Sequence, residues 1–95
     1  MHIISRKTLR EFARRHPDSK TALDHWFHIL KTNRFEDFNA LRNILPSADM
    51  VGDLIVFNIG GNKYRLIASI HFNRQKVYIR HLLTHEEYNR GKWKQ

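Results

Sequence analysis

The chain changes period near its middle. In the first half, apolar residues recur three and four positions apart: Leu9, Phe12 and Ala13, then Ala22, Leu23, Trp26, Phe27 and Leu30. Such spacing gathers each set on one helix face. Ser5 stands where an N-cap hydroxyl would serve the first helix. Pro17 ends that helix, because the residue before a proline avoids helical angles. Asp18 or Ser19 is placed to cap the second, which the pattern carries to Thr32, with Asn33 as its stop. Phe35, Phe38, Leu41 and Leu45 predict a third, shorter helical segment or a wrapped loop, closed by Pro46. Ser47 to Asp53 reads as a turn region.

From Leu54 onward the period is two. Leu54 to Ile59 is rich in β-formers, and Gly60-Gly61-Asn62 is hairpin chemistry, since glycine and asparagine accept positive φ. In the next strand Tyr64, Leu66, Ala68, Ile70 and Phe72 share one face; Arg65, Ile67, Ser69 and His71 share the other. After a turn at Asn73-Arg74-Gln75, strict alternation sets Val77, Ile79, His81 and Leu83 against Tyr78, Arg80, Leu82 and Thr84. His2 to Ile4 reads as a short edge strand, His85 to Asn89 as a helical turn, and Arg90 to Gln95 as a basic tail containing Trp93. The class is α+β: N-terminal helices packed on one face of a small antiparallel sheet of three or four strands.

At 95 residues, one domain over 1–95 is expected, and 41% hydrophobic residues suffice for a small core. Without cysteine, disulfides, thiolate nucleophiles and Cys-ligated zinc are excluded. No apolar run approaches the ~20 residues that span a bilayer, and the N-terminus has no signal-peptide core, so a cytoplasmic location and no membrane role are expected. Lys and Arg number 17 against 9 Asp and Glu, a formal charge of +8. That excess favours a polyanion such as nucleic acid as partner.

The candidate chemistry lies in the second half. Arg65 and Arg80 stand inside strand-like runs, where a permanent charge is costly unless that sheet face meets water or an anion. On neighbouring strands and one face, their forks would converge on a phosphate; the alternative pairs them with acids such as Asp53 or Glu86. His85, Glu86 and Tyr88 follow the last strand as a compact set of proton-transfer groups, or else as a C-terminal cap. His81 and His85 are four apart but HExxH is absent, and His25 and His28 lack further ligands, so neither pair makes a metal site. Gly60-Gly61 precedes no helix and is a turn rather than a phosphate loop.

Phe57-Asn58-Ile59-Gly60-Gly61-Asn62-Lys63-Tyr64-Arg65-Leu66-Ile67, with Tyr78-Ile79-Arg80 and Thr84-His85-Glu86-Glu87-Tyr88, resembles the HigB family of type II toxins within the RelE-like superfamily. Pro46-Ser47-Ala48-Asp49 and the Ile-rich start before a basic helix fit as well. The resemblance implies an endonuclease that cuts mRNA on the translating 70S ribosome, needs no metal or cofactor, and is neutralised by a HigA-like helix-turn-helix antitoxin. It implies attack of an RNA 2′-hydroxyl on the adjacent phosphate. Arg65 and Arg80 would hold that phosphate, His85 would transfer the proton, and Tyr88 would stack on a base or assist. Lys63, Asn62 and Lys92 would bind RNA. Asn89 stands where the family often has Asp. The competing classes are a non-catalytic RNA- or ribosome-binding module and a zinc enzyme.

Overall fold

The computed structural model describes residues 1–94; Gln95, the end of the expected basic tail, lies outside the described residues. Strand β1 (His2–Ile4) leads into helix α1 (Arg6–Arg15); a short 3-10 turn (Pro17–Ser19) joins it to α2 (Lys20–Thr32), and α3 (Phe38–Ile44) follows. Then come β2 (Asp49–Val51), β3 (Leu54–Ile59), β4 (Tyr64–His71), β5 (Lys76–Thr84), α4 (His85–Asn89) and a last 3-10 turn (Lys92–Lys94).

The five strands lie in the order β1-β5-β4-β3-β2. β2 to β5 form an antiparallel meander, and β1 pairs with β5 in parallel. The sheet is therefore larger than expected and mixed. Part of the Ser47–Asp53 turn region is β2, which hairpins onto β3 around Gly52-Asp53. β1 can be parallel because the whole helical layer lies between it and the meander, and parallel pairing needs a long connection rather than a hairpin.

The helices cover one face of the sheet. Phe12, Leu23, Trp26, Leu30 and Leu41 meet Phe57, Leu66, Ala68 and Val77 in the main core. Their spacing is why these segments are helical: α1 buries Leu9 and Phe12 and turns its arginines outward. The caps differ from the sequence reading. Ser5 has φ 82°, and its side chain makes no cap bond. An N-cap hydroxyl accepts from the first turn out of the β region, not the left-handed one. Ser19 donates to the His16 carbonyl at 2.7 Å instead of capping α2, and Asp18 bonds elsewhere. Asp37 does cap, accepting from the Ala40 amide at 2.9 Å.

Two local features shape the other face. The register of β4 with β5 slips between Ile67, opposite His81, and Ala68, opposite Ile79, leaving Arg80 as a bulge. Past the bulge the alternation inverts. Val77, Ile79 and Leu82 face the helices, while Tyr78, His81 and Leu83 face outward. Strict alternation had placed His81 and Leu83 with Ile79, and one extra residue in a strand overturns it. Secondly, Gly91 adopts φ 73°, a conformation that favours glycine, and the chain turns back there. Trp93 then lies on Val56 and Ile67, with Leu83 and Tyr88 beside it, as a second apolar cluster on the outer face.

Candidate active site

The site forms where β4 begins and β5 ends. Arg65 is outward on β4 opposite Leu83, yet only 8% exposed, because the C-terminal segment closes over it. One guanidinium nitrogen donates to the Tyr64 carbonyl at 3.1 Å. Another lies 3.3 Å from His85 Nδ1, and the guanidinium sits 5.2 Å from the centre of the Tyr88 ring. Tyr88 in turn stacks on Trp93, with centroids 5.2 Å apart and planes 13° from parallel, and the Trp93 indole donates to the Tyr88 carbonyl at 3.0 Å.

His85 owes its place to the start of α4. Thr84 and Glu87 form a capping box: the Glu87 amide donates to the Thr84 hydroxyl at 3.2 Å, and the Thr84 amide donates to the Glu87 carboxylate at 2.9 Å. The Thr84 amide holds the Glu87 carboxyl below its usual range. The His85 amide donates to the Lys63 carbonyl at 2.9 Å, which pins the helix start to the β3–β4 hairpin. The His85 ring stays exposed. Guanidinium has no acceptor, so His85 Nδ1 must accept from Arg65, and in the neutral ring Nε2 carries the hydrogen.

Arg65, His85 and Tyr88 thus come together. Arg80 does not join them. Its guanidinium lies 5.1 Å from the Tyr78 ring centre, toward the opposite end of the strand pair. The bulge is the reason, since it displaces Arg80 from the ladder position that convergence required. Neither alternative acid pairs with Arg65 or Arg80; Glu86 holds Arg90 at 2.8 Å. Asn62 is at the exposed hairpin tip. Lys63 reaches Asp18 at 3.2 Å. Lys92 lines a cleft of about 230 Å³ with His81, Arg90 and Trp93, beside the Arg65 corner.

Three contributors escaped the sequence reading. The Tyr64 hydroxyl donates to Asp18 at 2.6 Å, so the helix layer steadies the residue next to Arg65. That bond, then the one from Lys63, holds the Asp18 carboxyl below its usual range; the bond to Asp18, then burial, raises the Tyr64 hydroxyl. The capping box did leave a signal, because a threonine followed three residues later by a glutamate, Thr84 and Glu87 here, is its ordinary signature. Nothing in the sequence marked Trp93 as the wall behind Tyr88, because its contact depends on the turn at Gly91.

A family model described as HigB_toxin, the RelE-like toxic component of a toxin-antitoxin system, matches residues 19–91. The chain belongs to the HigB toxin family. The mRNA interferase toxin HigB of Escherichia coli K12 is 37% identical over 92 residues, covering 94% of this chain and 88% of that protein. The mRNA interferase HigB of Shigella flexneri matches equally, and that of Escherichia coli O6:H1 is 31% identical over 93 residues, covering 95% and 90%. The HigB_toxin match includes β2 to β5 and α4, and so Arg65, His85 and Tyr88, while Asp18, Lys92 and Trp93 lie outside it. No helix among the described residues is long and apolar enough to cross a membrane.

Proposed function

We propose that this HigB-family toxin is an mRNA endonuclease whose reacting corner is Arg65, His85 and Tyr88, within a single toxin domain. The observation that carries the reading is Arg65: a buried guanidinium that forms no ion pair with any carboxylate among the described residues, next to an exposed histidine. A protein that removes a permanent charge from water and supplies no counter-charge holds it ready for an anion from outside.

The substrate phosphate would take the guanidinium N–H groups left free by Tyr64 and His85. The RNA 2′-oxygen attacks the neighbouring phosphorus and loses its proton; the bond from phosphorus to the 5′-oxygen breaks, and that oxygen gains a proton. The products are a 2′,3′-cyclic phosphate and a 5′-hydroxyl end. Arg65 stabilises the charge that grows on the phosphorane oxygens. His85 moves a proton, because its ring is exposed and is oriented by the bond from Arg65. Tyr88 supports the guanidinium from below. With Arg65 and Trp93 both against its ring, it is better placed for that than for stacking on a base. Lys63 can leave Asp18 for RNA cheaply, since a solvent-screened surface ion pair stabilises little. Lys92 and Asn62 flank the path. The partners that fit are mRNA, the 70S ribosome that presents it, and a HigA-like helix-turn-helix antitoxin.

The test is induced expression of the parent and of an Arg65→Ala/His85→Ala variant, with transcriptome-wide mapping of 5′ ends. New 5′-hydroxyl ends in translated regions with the parent alone are expected. Soluble parent protein that binds ribosomes and produces no new ends would replace this reading with a binding module.

A further inference from the structure

The Trp93 flap covers only the centre of the sheet's outer face, over Val56 and Ile67. Beyond Ile67 the face is open. The register places Ser69 and His71 of β4 there, beside Lys76 and Tyr78 of β5 and, across the parallel pair, His2 and Ile4. None of these residues carries a carboxylate. The Tyr78 ring meets His71 edge-on, with centroids 5.3 Å apart at 79°, and carries the Arg80 guanidinium 5.1 Å from its centre. Arg80 is exposed and forms no ion pair among the described residues.

We propose that Tyr78, His71 and Arg80 form a second subsite for single-stranded RNA, which grips the message on one side of the cut. The inference rests on the RNA-cleavage reading of the Arg65 corner. Ser69, opposite Tyr78, is four residues along β4 from Arg65, a distance of ~13 Å at ~3.3 Å per residue. A short unpaired segment spans that gap. Between the two points lies a cleft lined by His81, Arg90 and Lys92; Glu87 is on its wall and Glu86 holds Arg90, so Lys92 is the lining cation that no carboxylate pairs among the described residues. Charge alone would suit an acidic protein equally well. The rings decide: an unpaired strand offers a phosphate to Arg80 and a base to Tyr78 and His71, which is how sequence-tolerant single-strand sites are built.

The experiment is fluorescence anisotropy of a short, labelled, fully 2′-O-methylated oligoribonucleotide, which cannot be cut because it has no free 2′-hydroxyl. Parent protein is compared with Tyr78→Ala, Tyr78→Phe and Arg80→Ala over a range of salt. Tyr78→Ala and Arg80→Ala should each weaken binding by about fivefold or more, and Tyr78→Phe should bind as the parent does. The salt slope should fall by about 0.7 for Arg80→Ala, the loss of one phosphate contact, and stay unchanged for Tyr78→Ala. Melting curves by circular dichroism confirm folding. If the parent binds and both alanine variants bind equally well, the subsite is wrong while the Arg65 reading stands. If they bind RNA normally but lose a protein partner, the patch docks protein and the proposal is overturned. A parent that fails to bind the oligonucleotide also overturns the subsite, and the map of 5′ ends then judges the Arg65 corner separately.

Discussion

Arg65→Met separates a charge kept for chemistry from one kept for structure. The substitution removes the hydrogen bonds to the Tyr64 carbonyl and to His85 Nδ1, about 1.5–3 kcal/mol each for a charged donor, and the contact with the Tyr88 ring, about 0.5–2 kcal/mol. Against this, a buried guanidinium without a counter-ion carries a desolvation cost of several kcal/mol, which the variant is spared. Burying a methionine contributes a further ~1.5–3 kcal/mol. The terms nearly cancel, leaving a net change of about 2 kcal/mol or less in either direction. At roughly 4–8 °C per kcal/mol for a domain of this size, the melting temperature should move by no more than about 15 °C, and upward as readily as down. Activity follows a different scale. Losing a preorganised donor at a developing oxyanion costs about 10²–10³ in rate, and in the proposed site the donor is also the charge. Arg65→Lys should fall between, because it keeps the charge and loses the planar fork. The assay is cleavage of a defined message by purified toxin with programmed ribosomes, alongside thermal melts of the same preparations. A methionine variant that cuts within tenfold of the parent would refute the reasoning. So would one that no longer folds, because Arg65 would then be a structural residue.

Other expectations follow from the supports around it. Thr84→Ala removes the capping box and should cost about 1 kcal/mol, read as a melting temperature ~4–8 °C lower; cleavage should fall further than folding, because His85 is the first residue of that helix, and Thr84→Ser should restore both. Trp93→Ala opens a cavity under Tyr88 and should cost about 3–5 kcal/mol in urea unfolding, with Trp93→Phe losing markedly less. The Asp18 carboxyl is held below its usual range by Tyr64 and Lys63, so its contribution is present above the unfolded-state value near pH 4 and lost as pH falls through the lower folded value. The Tyr64 hydroxyl is raised, so its share is present below about pH 10 and lost as pH rises through the higher folded value. Parent and Asp18→Asn should therefore differ in stability at neutral pH and converge at the acid end; curves that stay parallel there would remove Asp18 from the account.

Much of this was legible because local chemistry and global packing agree. The helical stripes of Leu9 with Phe12 and of Leu23, Trp26 and Leu30 are both the reason those segments coil and the surface they bury on the sheet. Gly60 and Gly61 both adopt positive φ, as a turn between two β-rich runs requires. The caps were less legible. A serine or aspartate before a helix has several partners open to it, and tertiary contacts chose: Tyr64 took Asp18, and the His16 carbonyl took Ser19. The strand of three residues at Asp49–Val51 is too short to show a period, so turn residues around it dominated the reading.

The site depended on a feature that no periodicity contains. Arg65 and His85 are candidates because each stands where its residue type is expensive or reactive, and the structure brings them to one corner. Arg80 was chosen by the same rule and then paired with Arg65 by counting in twos along β5. That count holds from Lys76 to Ile79 and fails at the next residue, because Arg80 has no opposite number on β4. The ladder resumes with His81, one position late. Leu82 goes inward to the main core, and Leu83 goes outward to the Trp93 cluster. The apolar pair Leu82-Leu83 lets the strand tolerate the slip, since each face needs one leucine there and either register supplies it. His81 is what makes the registers unequal. Without the bulge it would follow Ile79 into the main core, where an imidazole without a partner is costly; with the bulge it faces the open cleft. Deleting Arg80 should therefore be tolerated. The shortened strand pairs regularly, yet Ile79, His81, Leu82 and Leu83 keep the faces they already occupy, so its melting curve should lie close to that of Arg80→Ala. Inserting an alanine after Ile79 instead leaves two extra residues there, which one bulge cannot absorb, and it should be far more destabilising. A deletion that unfolds the protein while the insertion does not would show that the bulge is set by something other than the side chains it sorts.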